Sequence, residues 1–190
     1  MIVVEYVLWT VALLITGGAI AATVLAIRLR RPELGLVGLL PIAGGLLLSA
    51  LDLDLLPDSR ITAVLLALGI AALGVLGGSP VTVFVLDLAT RDTTVRRGEH
   101  GGILIQGPDG DADREVLRGG TTIGYLERVA IVGAVAVGHL EVVAAVIAIK
   151  GLGRFSELDS AAARERFIIG TLASMIWAAA AGLLATVIAG

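Results

Sequence analysis

Residues 128–150 read RVAIVGAVAVGHLEVVAAVIAIK, an apolar run of membrane length carrying His139 and Glu141 near its middle and closed by Arg128 and Lys150. About 20 apolar residues suffice to cross a hydrocarbon core of about 30 Å. This stretch is therefore expected to be a transmembrane helix, and its central ionisable pair is where functional reasoning starts. A charged group at the bilayer centre costs roughly 2.5–3.5 kcal/mol on insertion scales. Glu141 must then be protonated, paired or wetted, whereas a neutral His139 escapes much of that penalty.

The rest of the chain supports an integral membrane protein. Of its 190 residues, 57% are hydrophobic and only 4% aromatic, and the mean hydropathy is +0.96, above the range of ordinary soluble domains. Further apolar runs cover residues 2–27, 34–51, 61–88 and 167–189. The expected fold class is thus all-α, with about five transmembrane helices. The first run has no Lys or Arg before it and is followed at once by Arg28, Arg30 and Arg31, which reads as a retained span with its N-terminus outside rather than a signal peptide. The third is longer than a bilayer requires, and Gly77, Gly78, Ser79 and Pro80 predict a broken or kinked helix there.

Three regions follow: membrane helices over 1–89, a polar insert over 90–120 and a C-terminal helix pair over 121–190. In the insert, residues 102–106 and 115–118 flank turn-forming residues and predict a small β-hairpin-like element. Asp109, Asp111 and Asp113 have the spacing that opens a calcium loop, but the sixth position lacks the required Gly and the twelfth is Gly120 instead of Glu, so an acidic turn is the simpler reading. Alternating spans place Arg28, Arg30, Arg31 and the insert's arginines on one side, expected to be cytoplasmic. Lys150, Arg154, Arg164 and Arg166 would then face outward, against the positive-inside rule. A re-entrant or tilted fourth helix would resolve that conflict.

On one continuous helix, His139 and Glu141 lie about 200° apart, on nearly opposite faces, while Arg128, His139 and Lys150 fall within about 40° of one another. Each of the central pair would then need its own partner from another helix, another subunit, water or a backbone group. They are read either as residues of a midplane proton or ion pathway or as polar clamps between helices. Glu127, Arg128, Lys150 and Arg154 are expected at membrane boundaries, fixing helix depth or holding lipid head groups. The spacings Gly74/Gly78 and Ala178/Gly182 suit close helix contacts. Of the two tryptophans, Trp9 is the better placed for an interfacial anchor.

Several function classes lose support. A net charge of −3 with no continuous basic face argues against nucleic acid. The absence of Cys removes disulfides and thiolate sites, and no paired-His metal motif, nucleophile elbow or P-loop is present. No catalytic residue, metal ligand or cofactor site is therefore expected. The expected partners are membrane lipid and either a second copy or another membrane protein. Two readings remain: an accessory or assembly protein acting through helix packing and its insert, or a small oligomeric channel or transporter using Glu141 and His139.

Gly120, Ile123, Gly124, Leu126, Glu127 and Arg128, then Gly138, Glu141, Ala148, Lys150, Arg154 and Phe155, then Gly170, Thr171, Leu172 and Ser174 form an ordered set. It resembles the terminal module of a family of uncharacterised bacterial integral membrane proteins, with the pattern G-R-x-I-G-x-L-E-R, A-A-K-x-x-x-R-F and G-T-L-x-S. The chain departs at Thr121 (usually Arg), His139 (usually Gln) and Ile149 (usually Ala). The resemblance covers about the last third and implies a bacterial inner membrane location, but no activity.

Overall fold

The computed structural model describes residues 2–53, 59–89, 104–105, 114–115, 120–154 and 161–190. Among them the architecture is helical: α1 (Ile2–Leu29), a 3-10 helix (Pro32–Gly38) running into α2 (Leu39–Ala50), α3 (Arg60–Ala89), α4 (Gly120–Ala136), α5 (Leu140–Arg154) and α6 (Ala161–Ala189). Among the described residues, four segments are long and apolar enough to cross a membrane: Tyr6–Leu29, Pro32–Ala50, Arg60–Ala89 and Ala163–Ala189. Large apolar side chains such as Leu14, Leu40, Leu68 and Ile176 are exposed on these helices, the outward face that lipid demands and water penalises.

The expected fold needs correction. The β-hairpin-like insert is not an element of this all-helical architecture. The only pairing described there joins Leu104–Ile105 to Arg114–Glu115, two residues each, too short for a sheet layer. The stretch expected as the fourth of five spans is two helices of 17 and 15 residues, each about 25 Å or less at 1.5 Å per residue. Neither is among the four segments of spanning length.

The break has a local cause. Gly138 has φ +75°, its N–H donates to Val135 O at 3.1 Å, and the His139 N–H donates to Ala134 O at 2.8 Å. This is a Schellman termination, with glycine at the left-handed position. The same pattern ends α1, where Arg30 takes φ 54° and Arg31 N–H reaches Ala26 O at 3.0 Å. At the end of α2, Asp52 takes φ 52° and Leu53 N–H reaches Leu48 O at 3.0 Å.

The chain reverses at residues 137–139, and α5 folds back along α4. Lys150 meets Glu127, and Val146 and Ala130 line the same groove between the helices, so the two are antiparallel. The α4 helix is seated against α3 and α6, whereas α5 rests chiefly on α4.

The centre of the molecule is the antiparallel pair α3 and α6. An added Cβ on Gly74 would stand 2.6 Å from Ala181 Cβ, and one on Gly77 would stand 2.6 Å from the Trp177 ring, so glycine is what allows these helices to approach. Trp177 is buried and its indole N–H donates to Leu73 O at 3.2 Å. Gly38 and Gly45 of the second segment pack on Trp177 and Leu184, which closes a core of Ile42, Ile70, Leu73, Trp177 and Leu184. Trp9 is buried. Helix α3 runs without interruption through Pro80, whose ring packs against Gly35.

Candidate functional site

Arg128 is the polar centre of the fold. It projects from α4 into the angle between α3 and α6 and is 3% exposed. Its Nε donates to Val75 O at 2.6 Å, its Nη2 to Ser79 Oγ at 2.8 Å and its Nη1 to Ser174 Oγ at 3.2 Å. The Tyr125 ring, one turn back on α4, lies with its centroid 4.9 Å from the guanidinium carbon, within cation–π range. Val75 and Ser174 each lie near the middle of a segment of spanning length. Arg128, expected at a membrane boundary, is instead placed at mid-depth of the bundle.

Two local features make room for it. Gly78 is the point of closest approach: any Cβ there would collide with Arg128 Cδ. Pro80 lacks the N–H that would bond the Leu76 carbonyl in a regular helix, and the neighbouring Val75 carbonyl is the one that receives Arg128 Nε. The Gly77, Gly78, Ser79, Pro80 sequence read as a helix break is thus a receptor for an arginine from another helix.

Glu127, adjacent in sequence, points the other way. Its Oε2 accepts from Lys150 Nζ at 2.5 Å, with side-chain exposures of 12% and 18%, so the pair is largely shielded and ties α5 to α4. Lys150 also lies 6.0 Å from the centroid of the Phe167 ring in α6. The residues expected at opposite membrane boundaries, Glu127 and Lys150, are therefore brought together. The groove they help to line, about 380 Å³, is otherwise walled by Ile123, Leu126, Ala130, Val146 and Ile149. Arg154 ends α5, and its side chain is outside the described residues, as are Phe155, His100, Asp109, Asp111 and Asp113.

His139 and Glu141 meet at the tip of the hairpin. The angle of about 200° holds only on a continuous helix. With the chain turned at Gly138, His139 Nδ1 lies 2.6 Å from Glu141 Oε1, and the two side chains are 64% and 72% exposed. Glu141 stands in the first turn of α5, outside the four spanning segments. Its own backbone N–H, and then His139, hold its carboxyl below the usual carboxylate range.

Three stretches distant in sequence converge here: Arg128 bonds to Ser174, and Glu127 to Lys150. Two partners were not legible as such. Ser79 enters the sequence reading only as part of the expected helix break, and the Val75 carbonyl has no side-chain signature. Compared with family models, with curated proteins and with solved structures, the chain matches none.

Proposed function

We propose that this chain is an accessory or assembly protein of the membrane whose α4–α5 hairpin, re-entrant and rigidly mounted, is its docking element. One observation carries the reading. Helix α4 is locked onto the spans by Arg128, while α5, tied to it through Lys150, leaves Leu140, Ile147, Ile149 and Leu152 exposed. Arg128 at mid-depth is bonded to Val75, Ser79 and Ser174, and Glu127 to Lys150, which favours a fixed scaffold over an open polar path.

A hairpin that enters and leaves on one side also removes the charge conflict. With four spans, every Lys and Arg except Arg60 belongs to the side of the polar insert or to the hairpin entering from it. The positive-inside rule then makes that side cytoplasmic, with the start of α1 and the end of α6 outside.

The partner would be another membrane protein, or a second copy, pressed on α5. Because the chain has no cysteine, Ala148→Cys on the exposed side of α5 gives a single crosslinking position. Capture of one defined partner, or of a second copy, in native membranes supports this role. A chain that remains uncrosslinked while Ala144→Trp and Ala148→Trp leave its cellular phenotype intact refutes it. The contact between His139 and Glu141 favours a second reading, a proton or ion pathway at the hairpin tip. Flux in liposomes that disappears in Glu141→Gln would establish it in place of the first.

A further inference from the structure

The turn that joins α1 to the second segment carries Arg28, Arg30 and Arg31, all exposed. Among the described residues, none of their guanidinium groups has a hydrogen bond or an ion pair. Other cations are engaged: Arg128 by Val75, Ser79 and Ser174, Lys150 by Glu127, and Arg164 and Arg166 by partners of their own. Glu33, just beyond the turn, is exposed and bonds to none of the three. A helix C-terminus favours a basic residue in its last turn, which accounts for Arg28 but not for the two that follow the helix. Arg30 stands at φ 54°, a left-handed position where glycine is the least strained residue. An arginine there costs backbone energy that its side chain does not recover within the fold.

The surface next to these charges is apolar. Leu14, Gly18, Ala21, Leu25 and Arg28 follow one another at steps of four and three residues and so share one face of α1. All five are exposed, and a Cβ on Gly18 would meet nothing within 4 Å, so this face is uncovered among the described residues. It lies along a segment of spanning length and ends at the arginines. A free inorganic anion complements only the cationic end of such a surface. A phospholipid complements both parts, with a chain along the apolar stripe and its phosphate at the turn. Basic residues beside an apolar span attract anionic head groups.

We propose that the outward face of α1 and the turn after it bind an anionic phospholipid, its phosphate held by Arg28, Arg30 and Arg31 and one acyl chain lying along Leu14 to Leu25. This site requires that α1 spans a bilayer and does not depend on what docks on α5.

The test is native mass spectrometry of the full chain in uncharged detergent, offered equal amounts of phosphatidylglycerol and phosphatidylcholine. Without a bilayer, any effect of the arginines on membrane insertion does not enter. The native chain is expected to retain phosphatidylglycerol in preference. An arginine near an anionic lipid surface contributes about fivefold in affinity, so Arg28→Gln and Arg31→Gln should each weaken retention by about that factor. Arg60→Gln, at the opposite end of the bundle, should leave it unchanged. Arg30→Gly separates binding from folding: it should weaken retention yet raise the midpoint of thermal unfolding, because glycine relieves the left-handed position. Excess inorganic phosphate or glycerol 1-phosphate, which lack the chains, should leave the lipid bound. Equal retention of the two lipids, a preference unchanged in the Arg28→Gln/Arg30→Gly/Arg31→Gln variant, or displacement by inorganic phosphate would each overturn the assignment.

Discussion

Gly78→Ala sets two effects of opposite sign against each other. In a helix interior, alanine is favoured over glycine by about 1 kcal/mol, so a view of α3 as an independent apolar span expects stabilisation. The structure expects the reverse, because the new methyl collides with Arg128 Cδ. Overpacking a tight site costs about 1–3 kcal/mol. If the arginine withdraws instead, its bonds to Val75 O and Ser79 Oγ weaken, and hydrogen bonds to a charged group contribute about 1.5–3 kcal/mol each. The net expectation is a loss of about 2–4 kcal/mol. Gly133→Ala in α4, where a Cβ would meet nothing within 4 Å, is the control and should be neutral or stabilising by up to about 1 kcal/mol. Reversible unfolding in mixed micelles, read by circular dichroism, measures both. If Gly78→Ala is as stable as Gly133→Ala, the Arg128 latch does not hold the bundle as described.

The Glu127–Lys150 pair should behave as a shielded couple: Glu127→Leu or Lys150→Leu alone costs more than the two together, because each single change strands a charge. A double-mutant cycle with additive losses would show that the pair does not tie α5 to α4. At the hairpin tip, the carboxyl of Glu141 is held low by its own backbone N–H and by His139. A lowered folded value means that its stabilising contribution is present above the unfolded carboxylate value and is lost as pH falls through the folded one. Protection factors of the amides in the first turn of α5, which remove the intrinsic slowing of exchange in acid, should therefore fall on acidification in the native chain and not in Glu141→Gln.

Much of the fold was legible because membrane spans are long and compositionally plain. The apolar runs over 2–27, 34–51, 61–88 and 167–189 coincide with the four described segments of spanning length in the structure. The decisive stretch was misread for a definite reason. Hydropathy integrates over about 20 residues and is blind to a single left-handed position, yet Gly138 followed by a polar residue and an acid in the next helical turn is a termination and restart signal. Once the helix is broken there, angular reasoning across the break fails, which is why His139 and Glu141 touch instead of diverging. The charge conflict around Lys150 and Arg154 was the sign that the fourth helix is not a plain span, and a re-entrant or a tilted helix would each resolve it. Arg128 was legible as important but not as buried, since its acceptors, a backbone carbonyl and two serines, belong to helices distant in sequence.

The central claim is that α4 and α5 form a hairpin returning to the side it entered from. Single cysteines can be introduced into this cysteine-free chain at His100, before the hairpin, and at Ser156, after it. Their labelling by a membrane-impermeant maleimide in oriented vesicles decides the matter. Both positions are expected to react from the same, cytoplasmic side. Labelling of His100→Cys and Ser156→Cys from opposite sides would mean that residues 120–154 cross the membrane, and the hairpin would be contradicted.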